Sequence, residues 1–136
     1  MALFNWNPMF NVGINKIDSD HQELVRLINK VYDSLQKGNS ESAIKQSIVD
    51  LLGYTRIHFK AEEDLMGMYG YQLVVRHRLL HKKLIEKLEK FSNKINADFI
   101  QQDVHEHVSF LKNWLFEHIM KADMHFGNFL KSKNVQ

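Results

Sequence analysis

At 136 residues, 44% of them apolar and 25% charged, the chain has the size of one domain that removes about two thirds of its unfolded surface from water. It contains no cysteine, which excludes disulfides, thiolate zinc sites, iron–sulfur clusters and cysteine nucleophiles, so any metal must be held by nitrogen and oxygen. The formal charge of +2 is spread over 18 basic and 16 acidic residues without a basic block, which speaks against a nucleic-acid partner. No stretch approaches the roughly 18 apolar residues of a membrane span or the apolar core of a signal peptide, so a soluble, cytoplasmic protein is expected.

In chain order, residues 1–17 carry Trp6, Phe10, Val12 and Ile14 without helical periodicity and the only proline, Pro8, which predicts an extended arm lying on the rest. Four helices follow, at about 18–37, 40–66, 71–95 and 98–130, separated by Gly38-Asn39-Ser40, by the Gly67 to Gly70 stretch and by Asn93 to Asp98. Asp18 or Ser19 is the expected cap of the first helix, and an Asp98-Phe-Ile-Gln101 pattern that of the fourth. Each helix has an inward stripe stepping by three and four: His21, Leu24, Ile28, Val31, Leu35; then Ile44, Ile48, Leu51, Thr55, His58, Glu62, Leu65; then Val74, His77, His81, Leu84, Leu88, Phe91, Ile95; then Ile100, Val104, Val108, Leu111, Leu115, His118, Ala122, His125, Phe129. Four amphipathic segments joined by short turns predict an all-α, up-down-up-down four-helix bundle occupying the whole chain as one domain.

The stripes contain an anomaly. His21, His58, Glu62, His77, His81 and His118 occupy positions that would otherwise be leucine or isoleucine. A lone histidine in a core is ordinarily hydrogen-bonded to a neighbour. Here His58 with Glu62, and His77 with His81, are i, i+4 pairs that aim two donor atoms from one helix face into the same volume, and further donors arrive from the other two helices. Left unpaired, such groups would cost about 1–3 kcal/mol each, against a net domain stability of about 5–15 kcal/mol. A metal site resolves the conflict, and a set of nitrogen and carboxylate donors suits iron, manganese or zinc. Asp123 fits the helix less well: five residues beyond His118, it lies about 140° away around an ideal α-helix, where the stripe selects Ala122. Either a local π-type widening or a long reach from the edge of the stripe would bring it in.

The stretches Trp6 with Val12-Gly-Ile14, Ile17-Asp-Ser-Asp-His21, His58-Phe-Lys-Ala-Glu62-Glu63, His77 with His81, and Trp114-Leu-Phe-Glu-His118 followed by Asp123 resemble those of the hemerythrins, in particular the single-domain bacterial forms. The resemblance runs nearly end to end. It implies two iron ions, oxo- or hydroxo-bridged, with His77, His81 and His118 on the coordinatively filled iron, His21 and His58 on the iron with a vacancy, and Glu62 and Asp123 bridging. It further implies reversible binding of dioxygen at that vacancy, for storage, delivery or buffering. Leu24, Trp114, Leu115 and Ile119 lie beside the ligands and are the candidates for a dry oxygen pocket. Asp20 stands where relatives commonly have Gln or Glu, which bears on contacts behind the ligands. His125 is read as an end-of-bundle residue, and His105 and His107 are given no ligand role.

Two other functions compete. A sensing module would report oxygen or redox state to a separate partner; only Lys131 to Gln136 follow the last predicted helix, which favours a carrier acting with an oxygen-consuming recipient. A di-iron oxidase or nitric-oxide-processing enzyme is the other, but no Glu here is followed by His three residues later, unlike the Glu-x-x-His motifs of ferritin-like enzymes. The expectation is therefore a non-enzymatic protein, and, from mixed-charge outer faces, a monomer.

Overall fold

A computed structural model describes residues 3–136; the first two residues of the expected arm, Met1 and Ala2, lie outside the described residues. The chain is an all-α four-helix bundle, with α1 at Asn15–Gln36, α2 at Glu41–Tyr69, α3 at Val74–Ala97, and a fourth rod made of α4 at Gln101–His118, a π turn at Ile119–Asp123 and α5 at Met124–Ser132. The half of the core around Val31, Ile44, Leu51, Leu88, Ile95, Val104 and Val108 is apolar. The polar cluster fills the other half, towards the α2–α3 turn.

Helix boundaries differ from the sequence expectation for identifiable reasons. The first helix starts at Asn15, after Ile14 and without a side-chain cap. Asp18 lies inside its first turn and accepts hydrogen bonds from the amides of Val12 (2.7 Å) and Gly13 (3.1 Å). It caps the arm instead of the helix. α2 continues through Gly67 to Tyr69, because the residue that ends it is Gly70 in the left-handed region (φ +69°), with the Tyr71 amide returning to the Met66 carbonyl. Tyr71 and the two residues after it form a turn, so α3 begins at Val74. Asp98 closes α3 and makes no capping bond to α4, whose N-cap is Ile100. Ile100 itself is exposed, not part of the core stripe.

The arm is tied down at both ends of its path. It includes one 3₁₀ turn, Pro8–Phe10. Phe4 exchanges two hydrogen bonds with the Asn29 side chain (2.9 and 2.7 Å). Phe10 packs edge-on against Phe4, Trp6 and Phe116. Val12 presses on α5 where Gly127 gives it room: a Cβ at that glycine would lie 2.7 Å from the Val12 carbonyl oxygen. Among the described residues, no helix is long and apolar enough to cross a membrane.

The π turn decides the direction of everything after His118. The Met124 amide donates to the Ile119 carbonyl, five residues back, which inserts one residue into the helical phase. Beyond it the buried positions are Asp123, Phe126 and Leu130, while His125 is exposed and Ala122 and Phe129 only half-buried. The expected stripe Ala122, His125, Phe129 is thus displaced by one residue, and the widening, not a long reach, brings Asp123 inward.

Candidate metal centre

His21 from α1, His58 and Glu62 from α2, His77 and His81 from α3, His118 at the end of α4 and Asp123 at the end of the π turn meet in the bundle interior, each no more than 7% exposed. They form two adjoining donor groups. One consists of His77, His81, His118, Glu62 and Asp123, the other of His21, His58, Glu62 and Asp123, and within each group the donor atoms lie within 4.8 Å of one another.

The two carboxylates are shared between the groups, one oxygen to each. Glu62 Oε1 faces His77 Nε2 (2.8 Å) and His81 Nε2 (3.4 Å), while Oε2 faces His58 Nε2 (3.2 Å) and, farther off, His21 Nε2 (3.9 Å). Asp123 Oδ1 faces His77 Nε2 (3.0 Å) and His118 Nε2 (3.1 Å), and Oδ2 faces His21 Nε2 (2.9 Å). Several of these contacts have the length of an ion pair without hydrogen-bond directionality: both oxygens of Glu62, Asp123 Oδ1 and the Nε2 atoms of His21, His58 and His77 are buried with no hydrogen-bond partner. Direction is the more telling of the two measures. Lone pairs that converge on common points instead of on one another's protons are what cations require, and the residues therefore fit metal ions.

Protonation states point the same way. Burial alone would lower the His58 and His77 pKa values, yet the carboxylates beside them, Asp20 and Glu62 for His58 and Asp123 and Glu62 for His77, hold both at about 9. Burial would raise Glu62 and Asp123, and mutual repulsion adds to it for Glu62. The surrounding imidazoles nevertheless keep both carboxyls well below the usual range. The cavity thus demands positive charge, which protons or metal ions can supply.

Behind the donors, two carboxylates fix ring orientation. His58 Nδ1 donates to Asp20 Oδ2 (3.0 Å), and His81 Nδ1 donates to Glu63 Oε2 (2.9 Å), which leaves each Nε2 free to face the centre. Asp20 is itself held by Lys16 (2.8 Å) and by the Tyr54 hydroxyl (3.1 Å). Against the upward push of burial, these contacts and His58 lower its pKa to about 2. Sequence reasoning placed Asp20 behind the ligands without its partner, and gave Glu63 no role. The available signal was its position beside Glu62, one helical step round towards α3. Aromatic rings complete the support: Phe59 stacks on His81 at 3.7 Å and Trp114 on His118 at 4.4 Å between ring centroids.

Of the candidate pocket residues, Leu24, Trp114 and Leu115 line one apolar cavity of about 20 Å³ together with Thr55 and Phe59. Ile119 is fully buried on the π turn and is not part of that lining. His125 lies at the bundle end, 2.6 Å from the Tyr71 hydroxyl. His105 stacks on Tyr32, and His107 on Phe91, away from the donors.

Comparisons with known proteins place the chain in a family. The family profile described as "Hemerythrin HHE cation binding domain" matches residues 12–130. A bacteriohemerythrin of Clostridium acetobutylicum is 34% identical over 128 residues, covering 91% of this chain and 98% of that protein. One from Methylococcus capsulatus is 30% identical over 129 residues, covering 93% and 96%. A crystal structure of wild-type hemerythrin superposes with a TM-score of 0.85 at 30% identity, over 93% of this chain and 97% of that one. An all-α bundle, a family profile spanning most of the length and a buried His/Glu/Asp cluster able to hold metal lead to one conclusion: the chain belongs to the hemerythrin family.

Proposed function

We propose that the protein is a single domain over residues 1–136 that binds dioxygen reversibly at a non-haem di-iron centre, for oxygen storage, delivery or buffering, and that it is not an enzyme. The observation that carries the reading is the division of Glu62 and Asp123, each with one oxygen towards a three-histidine group and the other towards a two-histidine group. His77, His81 and His118 would hold one iron, His21 and His58 the other, with Glu62 and Asp123 bridging. When bound, the iron pair supplies the electrons that oxygen takes up and returns.

The inequality of the two groups supports the expected place for oxygen. Three imidazoles and two carboxylate oxygens leave less room in one coordination sphere than two imidazoles and two oxygens in the other. The chain's own part is to keep that position dry. Beside the donors lies the 20 Å³ cavity, lined by aliphatic and aromatic side chains, whose one hydroxyl, that of Thr55, already donates to the Leu51 carbonyl (2.7 Å). A water there would fall short of the roughly two to four partners it needs, whereas an apolar diatomic loses nothing. Leu24, Trp114 and Leu115 form part of this wall, and Ile119 closes the core on the side of the π turn.

Iron-loaded protein, reduced without oxygen and then cycled through oxygen addition and removal, tests the reading by its visible spectrum. Recovery of the reduced spectrum over repeated cycles is expected. Irreversible oxidation at the first exposure would instead favour a sensor or an enzyme.

A further inference from the structure

Of the five imidazoles at the centre, His58 and His81 deliver their outer N–H to a carboxylate of the chain, and His21, His77 and His118 do not; of these three, His77 is the one that lines a cavity. Its Nε2 is buried against Glu62 and Asp123, its Nδ1 makes no hydrogen bond among the described residues, and the ring, 3% exposed, forms part of the wall of a cavity of about 300 Å³ between the start of α3 and the π turn. The charged side chains lining that cavity are basic. Arg76 has no ion pair among the described residues, and Lys121 is paired only with Glu117 (2.8 Å). His125 completes the set. Its Nδ1 lies 2.6 Å from the Tyr71 hydroxyl. The cavity also lies at the N-terminal end of α3, which has neither a side-chain cap nor an acidic residue in its first turn.

We propose that this cavity binds a small organic carboxylate, whose head accepts a hydrogen bond from His77 Nδ1 and faces Arg76, Lys121 and His125. The remaining walls, Leu73, Leu80 and Ala122, suit a short apolar tail, and the volume falls at the small end of ligand pockets. The exposure of Leu73 and Leu80, 40% and 37%, then has a use. The occupant supplies at His77 what Asp20 supplies at His58 and Glu63 at His81, an anionic acceptor that strengthens the imidazole as a ligand. It is thereby coupled to the metal centre without touching it. The inference rests on the di-iron reading through the tautomer of His77, whose Nδ1 carries the proton when Nε2 holds metal.

Calorimetric titration of the iron-loaded protein with butyrate, with butyramide as the neutral isostere, tests it. One butyrate per chain is expected, accompanied by a shift of the visible spectrum with the same midpoint, and butyramide should bind at least about tenfold more weakly. Arg76→Gln and Lys121→Gln, both outside the metal donors, should each weaken butyrate about tenfold at unchanged iron content. Undiminished binding to both variants would mean that butyrate goes straight to the metal, and would overturn the proposal. Equal binding of butyramide, or no butyrate binding at millimolar concentration, would also overturn it. Iron analysis of the same samples separates the two readings: a chain without iron that still binds butyrate in an Arg76-dependent manner defeats the di-iron reading alone.

Discussion

Direction, more than proximity, distinguishes the residues at the centre. Seven buried donors packed this closely could in principle neutralise one another by proton sharing, but the oxygens of Glu62 and the Nε2 atoms of His21, His58 and His77 have no hydrogen-bond partner, an arrangement able to hold a cation. Removing one of them should therefore cost metal and stability together. Glu62→Ala or His77→Ala is expected to bring iron below two per chain and to destabilise the fold by about 3–5 kcal/mol, since the remaining partners stay buried and uncompensated; thermal unfolding and metal analysis check both. Asp20→Ala leaves every donor in place but frees the His58 ring. It should weaken metal retention about ten- to a hundredfold in chelator competition with unchanged far-ultraviolet circular dichroism. Six of the seven residues that meet in this cluster were legible from helical periodicity alone, because each replaces an apolar residue on a seam. Asp123 was not, and rested on the family resemblance. Asp20 and Glu63 were hardest to read, because their partners lie on other helices and sequence spacing carries no information about them.

Among the elements, the π turn does the most to make the site. One inserted residue moves Asp123, Phe126 and Leu130 inward and turns His125 out, a change of phase that a regular 3.6-residue reading could only register as a misfit. Elsewhere, Asp18 does not cap α1 because its carboxylate accepts from the arm instead. The arm's seat on α5 gives a second test. Gly127→Ala should improve helix propensity by about 1 kcal/mol, yet the contact with the Val12 carbonyl outweighs it. A net loss of about 1–3 kcal/mol in denaturant unfolding is expected. On α4, burial, followed by the nearby Lys87 charge, pushes the His107 pKa down to about 4. The folded state thus prefers the neutral ring, so its contribution is intact above the unfolded value near 6.5 and is lost as pH falls towards 4. Relative to His107→Leu, wild type should lose an additional 1–2 kcal/mol or so between those values, after allowance for the ring's remaining exposure.

For the molecule as a whole, four seams, three short turns and a wrapped arm build a scaffold in which one end of the core is apolar packing and the other a buried His/Glu/Asp cluster able to hold metal. Fold class and family were legible because helical periodicity and donor spacing reinforce each other along the entire chain. The central claim is that the centre holds two ions sharing Glu62 and Asp123. Iron-reconstituted protein examined by metal analysis together with iron-edge X-ray absorption tests it most directly. Two irons per chain are expected, in nitrogen-rich surroundings, with an iron–iron distance of about 3–4 Å. A single ion per chain, or two without an iron neighbour at that range, would contradict it.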